Sequence, residues 1–195
     1  MDAVDLIRNR VAAVNRTLHA LVDQLAGVDL AEPVLPGTSP PGLTLWHLPR
    51  TQDWLVNTTI RAVPEVADSF PPKGLPDHAL FGFGTGLSQD LAREAASAVD
   101  LRALVAYADA VAAELDGWLG TLAPADLDAV PDLIGRQQTR PAYRTPETLS
   151  EVEGLVGIPV GQLLMRPAVS HLFMHAGELE LLGQLARRSS VPSSV

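Results

Sequence analysis

The segment Ser170-His171-Leu172-Phe173-Met174-His175 places two imidazoles four residues apart. On an α-helix that spacing puts both rings on one face, about one turn apart, where they can converge on a single cation. Glu178 follows three residues later on the same face. Its carboxylate has three uses there: an outer acceptor for a ring N–H, a general base, or a further ligand. Another histidine stands far upstream in Leu45-Trp46-His47-Leu48, with Arg50, Thr51 and Trp54 following at one-turn and two-turn intervals on its own helical face. In an antiparallel bundle that face can meet the final helix. The ordinary alternative is that His171 and His175 are polar residues of an amphipathic helix that bind nothing. His19, beside an apolar stripe, and His78, in a proline-rich loop, read as ordinary polar residues.

Other motifs carry less. Gly82-Phe83-Gly84-Thr85-Gly86 follows no strand pattern and lacks the Gly-Lys-Ser/Thr ending of a phosphate loop, so it reads as a flexible connection. Gly86-Leu87-Ser88-Gln89-Asp90 lacks the final glycine of a nucleophile elbow. Trp46, Trp54 and Trp118 read as core anchors. Arg136, Arg140, Tyr143, Arg144 and Arg166 form a basic cluster whose guanidinium groups suit the carboxylates of a thiol cofactor or an acidic substrate, with Arg140 and Arg144 the leading candidates. The competing reading is a solvated loop whose arginines pair with Glu147, Glu151 and Glu153.

Composition narrows the chemistry further. The 195 residues contain no cysteine, which removes disulfides, thiolate metal sites, iron–sulfur clusters and a cysteine nucleophile. A net charge of −9 repels phosphate backbones, so no nucleic-acid partner is expected. Acids in Met1-Asp2-Ala3-Val4-Asp5 and the lack of a long apolar run argue against a signal peptide or membrane span, and a cytoplasmic location is expected.

The elements that must position these residues are helical. Val4, Ile7, Val11, Val14, Leu18, Leu21 and Leu25 recur at spacings of three and four, which predicts a helix from Asp2 to Ala26. Four prolines between Pro33 and Gly42 predict an irregular link, followed by a helix over 45–63 with Thr44 as its N-cap. Residues 64–98 read as a long connection with one short helix near Ser88 to Ala96. Asp100 caps an amphipathic helix that reaches Leu122. Residues 123–159 are irregular apart from a short helix around Glu147 to Val156, and the last helix runs from Val160 to Arg188 with an interruption at Pro167. The reading is therefore all-α: a four-helix bundle with long crossover connections, one domain over 1–188 and a disordered tail over 189–195.

Leu45-Trp46-His47-Leu48 with Trp54 downstream, and His171 to His175 followed by Ala176-Gly177-Glu178, resemble the two signature segments of the DinB/YfiT-like four-helix bundles. The resemblance spans essentially the whole chain in helix order. It implies a divalent metal, zinc or nickel, held by His47, His171 and His175 with water in the open position. It further implies activation of a low-molecular-weight thiol for transfer to a small electrophile, or for isomerisation of a small acid. All but Lys73 of the 14 basic residues are arginine, a bias of GC-rich genomes that favours mycothiol over bacillithiol. Pro49 departs from the family, whose members carry a small or helix-friendly residue there. Two other classes stay open: a non-catalytic bundle that sequesters a metal or small ligand, and a metal-free dimerisation module forming a homodimer.

Overall fold

In the computed structural model, which describes residues 2–70 and 73–189, the regular elements are helical and no strand forms among the described residues. Asp2 caps α1 (Ala3–Gln24): its carboxylate accepts from the Asp5 amide, and Asp5 accepts from the Asp2 amide, so two orphan donors of the first turn are satisfied. The predicted stripe from Val4 to Leu25 is buried along its whole length.

The second helix begins earlier than its sequence suggests. α2 (Pro41–Asp53) starts at a proline, whose fixed φ and missing N–H suit the first helical position, and Thr44 is an interior residue instead of the cap. Gly42 also belongs to the helix. A Cβ there would lie 2.9 Å from the Leu30 carbonyl oxygen and 3.0 Å from that of Ala96, so glycine lets neighbouring backbone close on α2. Pro49 falls in the helix interior, where it cannot donate to the Leu45 carbonyl. The helix continues without a break as a π-helical stretch over Trp54–Arg61.

The long connection that follows contains α3 (Val66–Ser69) and α4 (His78–Phe81) besides the expected α5 (Gln89–Ser97), which Ser88 caps. α6 (Leu101–Leu119) is capped by Asp100, whose Oδ1 accepts from the Ala103 amide at 2.8 Å. Two 3₁₀ turns, Pro124–Asp128 and Pro141–Tyr143, alternate with α7 (Leu133–Gln137) and α8 (Pro146–Glu153). α9 (Val160–Met165) then runs through a π turn, Arg166–Ser170, into α10 (His171–Ser189). That turn is the interruption predicted at Pro167. Ser189 closes α10, and the rest of the expected tail, 190–195, lies outside the described residues.

α1 packs on α6 and α10, and α2 packs on the same two, so these four helices close a ring. Every residue of α2 is buried, polar ones included. A helix without a solvent face must satisfy its polar side chains internally. Arg50 does so through five bonds: to the Gly82 carbonyl (3.3 Å), Asp53 (3.1 Å), Glu65 (2.8 Å) and the hydroxyls of Tyr107 (2.9 Å) and Tyr143 (2.6 Å). The two tyrosines donate onward, Tyr107 to Asp53 at 2.6 Å and Tyr143 to Glu65 at 2.7 Å.

Removing one partner from such a network strands the others, so Glu65→Gln should destabilise the fold by about 3–5 kcal/mol at neutral pH. Burial alone would raise the Glu65 pKa, but Arg50 and hydrogen bonds from Thr58 and Tyr143 outweigh it and hold the carboxyl below its ordinary range. Asp68 is pulled down to about 2, chiefly by the hydrogen bonds from Arg140. Both carboxyls bind protons more tightly in the unfolded chain, so their stabilisation is complete above about pH 4.5 and is lost as pH falls toward 2. Urea denaturation between pH 7 and pH 2 should show the gap between wild type and Glu65→Gln closing in acid. A pH-independent gap would deny the carboxylate this role.

Candidate metal centre

His47 sits in the middle of α2, and His171 and His175 lie on the first turns of α10, where the contact between the two helices brings all three rings together. One ligand nitrogen from each lies within 4.8 Å of the other two. The rings stand nearly perpendicular, with centroids 4.6–5.5 Å apart. His47 Nε2 and His171 Nε2 are separated by 3.2 Å. Two nitrogens on one tetrahedral zinc, each about 2.05 Å from it, stand about 3.3 Å apart, so this edge already has the span of a metal site.

The aim of two of the rings has an identifiable cause. His47 Nδ1–H donates to the Phe83 carbonyl at 2.6 Å, which leaves Nε2 as the nitrogen with a lone pair facing the cluster. Phe83 can come so close because Gly84 follows it. That residue has φ +90°, and a Cβ there would lie 3.2 Å from Leu43 Cδ1 and 3.7 Å from His47 Nδ1. The preceding Gly82 carbonyl accepts from Arg50 Nε, which ties the same loop to the buried network. On α10, Glu178 accepts from His175 Nδ1 at 3.0 Å and so directs Nε2 of that ring away from itself. The π turn ahead of His171 is tied across the interface by Gln52, which donates to the Ala168 carbonyl at 3.0 Å.

Burial drives the His47 pKa down to about 3, with His175, His171 and Arg50 adding to the effect against the opposing hydrogen bond to Phe83. Burial, then His175, also lowers His171. Both rings are therefore neutral at physiological pH, the protonation state a metal ligand needs.

All three histidines line one cavity of about 270 Å³. Thr51 lies beside them, its hydroxyl 3.2 Å from His47 Nε2. Trp54 and Phe83 form an apolar wall, stacked with centroids 4.1 Å apart, and the Trp54 indole N–H is fixed by Gln137 at 2.8 Å. Trp54 is thus a wall of the cavity as well as a core residue. Leu43, Leu155 and Pro167 extend that surface, and Glu151 and Arg166 also line it.

The remaining expected site residues lie elsewhere. Glu178 does not line the cavity, and its contact is with His175, so of the three uses open to it the geometry supports the outer acceptor: a positioning residue in place of a catalytic one. Arg140 and Arg144 are likewise absent from the cavity wall. Arg140 is engaged by Asp68 through two bonds of 2.9 and 2.6 Å, and Arg144 donates to the Gln138 carbonyl at 2.9 Å. Arg136 donates to the carbonyls of Thr59 and Ile60. His78 pairs with Asp68 and His19 with Asp109, both outside the cluster. The glycine loop is a correction of another kind: the expected loose connection holds the carbonyl that aims His47.

No helix among the described residues is long and apolar enough to cross a membrane. Comparison of the chain with family models and with curated proteins found no match.

Gly84→Val tests the loop. A branched side chain at φ +90° should cost about 1–3 kcal/mol and push Phe83 away from His47. Nitrogen-15 NMR of wild type should show His47 as the neutral Nδ1–H tautomer at pH 7, with that assignment lost in the variant. An unchanged His47 spectrum would show that the loop does not set the ring.

Proposed function

We propose that the protein is a divalent-metal-dependent enzyme, built on a DinB/YfiT-like four-helix bundle, that activates a low-molecular-weight thiol or water for attack on a small electrophile. The observation that carries this reading is the convergence of three imidazoles on the wall of a cavity, with Nδ1 partners already in place on two of them. His47, His171 and His175 would hold the ion, zinc or nickel by the resemblance. When bound, such an ion supplies Lewis-acid stabilisation of a deprotonated thiol or water near neutral pH.

The chain's own groups divide the remaining work. The Phe83 carbonyl and Glu178 hold two rings in the tautomer that presents Nε2 and raise their basicity. The Thr51 hydroxyl, buried at the edge of the cluster, can accept a proton's hydrogen bond from an incoming nucleophile or donate one to it. Trp54, Phe83 and Leu155 offer an apolar wall to the body of a thiol or electrophile and keep water from it.

A storage or structural bundle is the competing reading. A site of that kind is closed by a fourth protein ligand, for which Glu178 was the candidate. Its placement on His175 Nδ1, with the cluster facing a cavity, favours the open arrangement of a catalytic centre.

Elemental analysis of freshly purified, untagged protein should find about one equivalent of a divalent transition metal. His171→Ala should strip it while circular dichroism stays largely unchanged, since the helices are held by apolar packing. Metal retained at wild-type stoichiometry in that variant would overturn the ligand set. Glu178→Ala should keep all three ligands and weaken metal affinity by about 10–100-fold, measured by chelator competition.

A further inference from the structure

The basic cluster near the cavity separates into two kinds of arginine. Arg136, Arg140 and Arg144 are each engaged by a carbonyl or carboxylate of the chain. Arg166, at the head of the π turn that leads into His171, lines the cavity and has no hydrogen-bond or ion-pair partner among the described residues. On α8 a carboxylate of the same description lines the same cavity: Glu151 is also without a partner there, and the two do not pair with each other.

We infer that the ligand of this cavity is dipolar, carrying an anionic group that Arg166 binds and an ammonium group that Glu151 binds, with its metal-directed group presented to the histidines. Two opposite charges that share a cavity of about 270 Å³ without neutralising each other leave a field across it. A ligand with one charge meets one attraction and one repulsion, whereas a zwitterion aligned with the field gains both. The guanidinium fork suits a carboxylate in particular. The chain's charge of −9 discourages anions in general, and Arg166 sets a positive charge on the cavity wall. The volume admits a small molecule of amino-acid size with its carbon skeleton against Trp54, Phe83 and Leu155. This inference rests on the metal reading above for the group that faces the histidines.

The test is calorimetric titration of the zinc-loaded protein with four thiols: cysteine, N-acetylcysteine, cysteamine and 2-mercaptoethanol. These carry both charges, only the carboxylate, only the ammonium, and neither. Cysteine should bind at least about tenfold more tightly than each of the others, the size of one charge-assisted hydrogen bond. Arg166→Ala should abolish the preference for cysteine over cysteamine, and Glu151→Gln the preference for cysteine over N-acetylcysteine. Both side chains reach solvent, so the variants should fold as wild type does, checked by circular dichroism, and the preferences should weaken with added salt. Equal affinities for the four thiols, or preferences that survive both substitutions, would overturn the inference while leaving the metal centre standing. Wild-type protein that takes up no zinc would overturn the metal reading itself.

Discussion

The 2.6 Å hydrogen bond from His47 to the Phe83 carbonyl decides which nitrogen of that ring faces its two partners, and it is made where neither group has water as an alternative. An imidazole in solution exchanges tautomers freely, whereas one on a helix buried along its whole length keeps the tautomer its neighbours impose. The bond depends on backbone coming within reach of α2, and so on Gly84 at a positive φ that other residues enter only with strain. It depends also on Arg50, one turn after His47, which holds the adjoining Gly82 carbonyl. The loop and the histidine are therefore positioned by one buried network whose other members, Asp53, Glu65, Tyr107 and Tyr143, come from distant parts of the chain.

A cluster shared between two helices also needs those helices in register. Along a straight α-helix His171 and His175 would share a face, but where that face points depends on the turn before them. Pro167 cannot donate a helical hydrogen bond, and the π turn around it shifts the register by a residue just ahead of His171. Gln52 of α2 bonds a carbonyl of that turn, and Ser170 Oγ bonds another, that of Met165. One carbonyl of the irregular backbone is thereby satisfied from the same helix that carries His47, which couples the two halves of the cluster.

Local regularities made much of this legible beforehand. The apolar stripe of α1, the cap at Asp100, the short helix that starts near Ser88, and the four-residue spacing of His171 and His175 are all written within a turn or two of sequence. The meeting of His47 with His171, 124 residues away, has no local signature; it follows from an antiparallel bundle that turns the two helical faces together and from the family resemblance. Arg140 and Arg144 show the limit from another side: basic residues close in sequence resemble a binding patch or a loop paired with its neighbouring acids, yet Arg140's partner Asp68 lies 72 positions upstream. Gly82 to Gly86 misled because glycine signals conformational freedom, and the sequence does not say whether that freedom is kept or spent on one tight approach. The start of α2 was misplaced because a run of prolines reads as irregular, although the last of them, Pro41, is well suited to open a helix.

The distribution of charge separates scaffold from site. Arg50, Asp53 and Glu65 are almost wholly buried and paired with one another, so they offer a ligand no access. Such a cluster adds little stability over an apolar one, and its worth lies in fixing a unique geometry around α2. Arg166 and Glu151 are the reverse: accessible, uncompensated and on the wall that also carries the three histidines. An accessible charge without a partner is inexpensive in water, so folding alone gives no reason to place two of opposite sign at one cavity. Recognition does give a reason, because each becomes strong when a ligand displaces the water between them. The buried ions thus help to set where His47 points, and the accessible ones set what approaches the cluster.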